Sequence, residues 1–83
     1  MDIRLEHVDP NLNKFRFYEV GVEPNLLGDH SIIIRWGRIG RPGRVRIHAS
    51  GPKDDVAPKA LKLVDIKIRN GYVAVTSQGR LRD

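Results

Sequence analysis

The hydrophobic period of this chain changes once, near Pro52, and that change restricts the folds open to it. Ahead of it the apolar residues recur every second position. Asp2 to Val8 alternates, with Ile3 and Leu5 opposite Arg4 and Glu6, as a half-buried strand does. Lys14 to Val22 is rich in aromatic and β-branched residues and predicts a second strand, with Phe15 and Phe17 on one side and Arg16, Tyr18 and Val20 on the other. Ser31 to Ile39 predicts a third. Its Ile32, Ile33 and Ile34 are consecutive, so alternation assigns Trp36 neither to core nor to solvent. Arg44 to Ala49 alternates cleanly, and places Val45, Ile47 and Ala49 inward with Arg44, Arg46 and His48 outward.

Beyond Pro52 the period becomes helical. Val56, Ala60, Leu61, Val64 and Ile68 follow the spacing of one helix face, with Lys62, Lys67 and Arg69 assigned to its solvated side. Asp54 or Asp55 can cap the start, Pro58 is tolerable only in the first turn, and Asn70-Gly71 is a stop signal. Tyr72 to Thr76 predicts a short last strand. The connections carry turn chemistry: Asp9-Pro10-Asn11-Leu12-Asn13, a loop from Glu23 to His30, and Gly40-Arg41-Pro42-Gly43.

The order β-β-β-β-α-β implies an α+β fold, a small two-layer domain in which one amphipathic helix covers one face of a largely antiparallel sheet of about five strands. Residues 1–77 are expected to form a single domain and 78–83 a loose C-terminal tail. The second sheet face stays bare, and it is the expected place for function. A chain of 83 residues buries only about 60–65% of its unfolded surface, so the core is thin.

Charge is unevenly spread. Residues 1–29 hold three basic and six acidic side chains, whereas residues 30–53 hold five arginines and one lysine with no Asp or Glu. That segment contains the only tryptophan, in the run Arg35-Trp36-Gly37-Arg38, followed by Arg41, Arg44 and Arg46. A flat ring among guanidinium groups suits phosphate, ribose and base. Arginine rather than lysine favours bidentate phosphate contacts over mere solubility. The competing roles are a core anchor for Trp36 and a solvated, edge-blunting strand face for the arginines. Tyr72 is expected in the core where helix meets last strand, its hydroxyl within reach of a phosphate.

Other chemistries find no support in the residues. There is no cysteine, and His7, His30 and His48 lack ligand spacing, so no metal is expected. Ser31, Ser50 and Ser77 have no local base, and Gly40-x-x-Gly43 opens no helix, so neither an enzyme nor a bound cofactor is expected. The N-terminus lacks the pattern of a signal peptide and the longest apolar run is Ile32-Ile33-Ile34, which implies a cytoplasmic protein with no membrane partner.

At Trp36-Gly37-Arg38 the chain resembles the WGR domain family, named for that tripeptide. The continuation Ile39-Gly40-x-x-Gly43, the opening strand Lys14-Phe15-Arg16-Phe17-Tyr18 and the closing Asn70-Gly71-Tyr72 extend the resemblance over about residues 3–75. It implies a small α+β module of the kind found in DNA-dependent poly(ADP-ribose) polymerases and in stand-alone bacterial proteins. In the polymerases such modules bind DNA ends. Carried over by residue, Trp36 is the group that packs on a terminal sugar, Arg38 holds phosphate or relays the signal, and Gly37 lets the backbone come close. These 83 residues hold no catalytic domain for a relay to reach.

The expectation is therefore a non-enzymatic nucleic-acid-binding module, taking DNA rather than RNA at ends or nicks. Its site comprises Trp36, Gly37, Arg38, Arg35, Arg41, Arg44, Arg46 and Tyr72. The alternative is a protein-interaction or regulatory module docking a separate enzyme or acidic partner. A monomer is expected rather than a dimer.

Overall fold

Short connections leave successive strands little choice but to pair with one another. The computed structural model describes residues 1–76 with Gly79 and Arg80. In it β1 (Asp2–Asp9), β2 (Lys14–Pro24), β3 (His30–Arg38) and β4 (Arg44–Gly51) run as an antiparallel meander. A single 3-10 turn, Pro10–Leu12, links β1 to β2 and closes on Asn13 in the left-handed conformation that its short polar side chain tolerates. The helix α1 (Lys53–Arg69) follows, and β5 (Val73–Thr76) returns to pair with β1. The sheet order is β4-β3-β2-β1-β5-β6. The sixth strand, β6, is Gly79–Arg80 alone, beside β5. The rest of the tail expected over residues 78–83 lies outside the described residues.

The core is one layer deep. Leu5, Val20, Val22, Ile32 and Ile34 of the sheet close on Val56, Ala60 and Val64 of α1. Each such apolar side chain contributes about 1.5–3 kcal/mol on full burial. The helix face is narrower than the sequence pattern implies, and Leu61 and Ile68 are exposed. At about 100° per residue they lie on the flank of the stripe centred on Val56, Ala60, Leu63 and Val64.

The helix start also differs. Pro52 occupies the cap position, so Asp54 and Asp55 sit inside the first turn, where they suit the dipole without capping. Pro58 falls in the second turn. The carbonyl that its missing N–H would have bonded belongs to Asp54, and both residues are exposed to water.

The largest correction concerns β4. Ile32 pairs with Ala49 but Ile33 pairs with Ile47, so the ladder slips by one residue at a β-bulge that holds His48. A one-residue slip reverses every side chain beyond it. Ala49 therefore packs on the core as expected, whereas Val45 and Ile47 face the uncovered side and are 61% and 65% exposed. Arg44 and Arg46 are turned instead toward the face that carries α1.

Candidate functional site

The β2–β3 register puts Tyr18 opposite Trp36, and the β3–β4 register puts Arg44 opposite Trp36 and Arg46 opposite Ile34. Side chains two apart on a strand share a face, so Arg16 and Tyr18 of β2, Trp36 of β3 and Arg44 and Arg46 of β4 line up with the core residues Val20, Val22, Ile32 and Ile34. These side chains lie on the same face as α1, beyond its last core residues. The residues that carry the site are thus on the helix-covered face, at the end where the last turn of α1 stops, rather than on the bare face.

The end of α1 completes the arrangement. Lys67 continues the inward stripe of Ala60, Leu63 and Val64, and its ammonium stands 4.6 Å from the centre of the Tyr18 ring and 5.2 Å from that of Tyr72. The chain reverses at Gly71, whose φ of 96° is in the left-handed region, and a Cβ there would lie 3.1 Å from the His7 ring. The reversal aims Tyr72 edge-on at His7, 5.2 Å between centroids, and at Tyr18, 6.5 Å. Trp36 is half-buried, one part against the core and another lining the hollow.

Together these groups border an open groove of about 620 Å³. Lys14, Arg16, Arg38, Arg46 and Lys67 line it, and among the described residues no carboxylate does. The Arg46 guanidinium is 5.9 Å from the Trp36 ring centre. Arg38 lies 5.0 Å from the Phe15 ring centre and donates from Nη2 to the Asn13 side-chain oxygen at 3.3 Å. Burial pushes the Tyr18 phenol above its ordinary value of 10, aided by Tyr72 and opposed by the charge of Arg46. It is therefore a neutral hydrogen-bond donor near neutral pH.

Of the residues singled out from sequence, Trp36, Gly37, Arg38, Arg46 and Tyr72 meet at this groove. Arg44 stands exposed in the strand beside it. Arg41 sits in the exposed turn, its backbone N–H bonded to the Arg38 carbonyl at 3.1 Å. Arg35 alternates to the opposite face, where its Nε is 3.8 Å from Glu19. There Glu19 also takes a 2.7 Å hydrogen bond from Arg4, which Glu6 contacts at 3.1 Å. Burial lowers the pKa of Arg4, but its bonds to Glu19 and Glu6 outweigh that and hold it above the ordinary value.

Gly37 has an internal reason for lacking a side chain. A Cβ on it would come within 2.8 Å of the Gly43 Cα, and one on Gly43 would collide with the Trp36 carbonyl and with Phe17. The turn between β3 and β4 thus folds back over Phe17, which is only 2% exposed although it faces the uncovered side. The Gly37 and Gly43 spacing is accounted for by this packing.

Tyr18, Lys67 and Arg16 were not legible as site residues. Lys67 had a signal: it lies four residues after Leu63 and seven after Ala60, on the inward stripe. Tyr18 and Arg16 needed the β2–β3 register. Among the described residues no group of three or more His, Cys, Asp or Glu could hold a metal ion, and no helix is long and apolar enough to cross a membrane.

Comparison with known proteins adds a family and one relative. The family model described as WGR domain matches residues 1–79. A protein of Sinorhizobium fredii, the uncharacterized protein y4dW, is 38% identical over 68 residues, which is 82% of this chain and 33% of that protein. The chain thus spans about a third of the relative's length. No solved structure matches.

Proposed function

The chain belongs to the WGR domain family, and from that premise we propose that it is a small non-enzymatic module that binds DNA at ends or nicks. Domains of this family are generally nucleic-acid-binding modules. The observation that carries the reading is the groove itself: Trp36, Tyr18 and Tyr72 stand beside five cations with no carboxylate among the described lining residues. Aromatic faces accept a base or sugar regardless of sequence, and the cations track phosphate. The half-buried Trp36 supplies the stacking face, and Arg46, Arg38 and Lys67 neutralise backbone charge, with Arg44 at the rim. Among the described residues no helix presents a row of base-reading side chains, so sequence preference is slight. A chain terminus suits an aromatic platform because a terminal base has one face free to stack, whereas the bases of an uninterrupted duplex are stacked on both sides.

The test is fluorescence polarisation with a labelled duplex carrying a nick or a 5′-phosphorylated end. Closed circular DNA and single-stranded RNA serve as competitors at two salt concentrations. With about four phosphates neutralised, log K falls against log salt with a slope near −3.5. Equal competition by closed DNA would reject the preference for ends. A slope near zero would reject the nucleic-acid reading altogether.

A further inference from the structure

The bulge at His48 leaves β4 with two unlike faces. Arg44 and Arg46 point to the side of α1, while Val45 and Ile47 point to the bare side, where Ile47 stands opposite Ile33 and Val45 opposite Arg35. β4 is the outermost strand of the sheet, and among the described residues its outer edge pairs with no strand. It is eight residues long and contains no proline, and its bulge at His48 and the charges of Arg44 and Arg46 on the α1 side are devices that discourage pairing with a like edge. Val45 and Ile47 are β-branched, side by side on one face, and mostly open to water.

Charge decides what can pair there. A second copy would set Arg44 and Arg46 close to the same two arginines, and like charges directly opposite one another destabilise a sheet. No Asp or Glu occurs between His30 and Lys53 to relieve that repulsion. An acidic strand meets the opposite situation. Its carboxylates on the α1 side face two guanidiniums, and its apolar side chains on the other side cover Val45 and Ile47.

We infer that β4 is a docking edge for an extended acidic segment of a partner protein, in which carboxylate and apolar side chains alternate and which adds to the sheet as a further strand. The backbone ladder supplies the affinity, and the alternation supplies the choice of partner. This surface shares Arg46 with the groove and Arg44 with its rim but needs neither Trp36 nor Lys67, so its test is separable from that of the nucleic-acid reading.

The probe is a synthetic eight-residue peptide alternating Glu and Val, titrated into isotope-labelled protein with amide hydrogen exchange read along β4. The expected result is protection at alternate β4 amides. A peptide of the same composition in scrambled order, and one N-methylated on the residues facing β4, should each bind about tenfold more weakly or worse. Val45→Thr with Ile47→Thr keeps the β-branched backbone preference and should weaken the alternating peptide similarly, leaving polarisation binding to the nicked duplex unchanged. Equal binding by the N-methylated peptide, or no protection in β4, overturns the inference. So does concentration-dependent dimerisation in sedimentation, which would make a second copy the occupant.

Discussion

Tyr18 stands directly opposite Trp36 in the β2–β3 ladder, and on its other side Trp36 stands opposite Arg44 of β4. Neither ring is fully buried, and both touch the core. The pair therefore does two jobs at once. Its inner edges extend the thin core beyond Val64, and its outer edges form the floor on which Lys67, Arg46 and Tyr72 converge. A loss at either ring has a stability component as well as a binding component, and the two must be measured separately.

Trp36→Ala should weaken binding to the nicked duplex by about 1–3 kcal/mol, the usual loss for a stacking side chain. Trp36→Phe keeps an aromatic face and should recover part of it. Urea unfolding of both variants gives the stability change, and polarisation at a temperature where both are folded isolates the binding loss. Undiminished binding by folded Trp36→Ala would remove Trp36 from the site.

Arg46→Ala and Arg35→Ala separate the two faces. Arg46 borders the groove, whereas Arg35 lies across the sheet beside Glu19. Removing Arg46 should reduce the salt slope by about 1 and weaken binding to all sequences alike. Removing Arg35 should leave both slope and affinity nearly unchanged. Equal effects would mean that the charge acts as a diffuse field rather than through the groove.

Gly43→Ala is expected to destabilise the fold by about 1–3 kcal/mol, because φ at Gly43 is 74° and the added Cβ has no space. Gly40 also has positive φ, at 88°, but nothing lies within 4 Å of where its Cβ would stand. Gly40→Ala should cost less, about 1 kcal/mol from backbone strain alone. Chemical denaturation of the two variants compares crowding with strain, and an equal loss in both would discount the packing of Gly43 on Phe17.

Alkaline unfolding should report Tyr18. Its phenol titrates above 10 in the folded chain because burial disfavours the phenolate. The unfolded chain then loses its proton first as pH rises past 10. Stability from the neutral phenol is complete below that pH and is lost as pH climbs through the raised folded value. Tyr18→Phe should show a shallower decline of stability above pH 10 than the parent chain. Parallel curves would place the alkaline sensitivity elsewhere.

The family tripeptide and its glycines were legible because they are local. Trp36-Gly37-Arg38 and Gly43 occur at fixed spacing, and the turn they build is closed by neighbours in the chain. The grouping of Tyr18, Lys67 and Arg46 was not, since they come from β2, α1 and β4 and meet only through pairing and packing. Arg35 shows the same limit from the other side. It adjoins Trp36 in sequence, and the pleat of the strand sends it to the opposite face.

By itself, then, the sequence determined the kinds of element and their order, because apolar period, turn residues and helix stop signals act over a few residues. It also determined that the charge would be concentrated between His30 and Lys53. Which way that charge points was decided only by tertiary structure. One extra residue in β4, His48, has no partner in the β3 ladder, and its insertion turns Arg44 and Arg46 toward Trp36 while exposing Val45 and Ile47. The backbone of β4 alternates smoothly when considered alone. The slip exists only relative to β3, because the face of a side chain is set by the strand it pairs with.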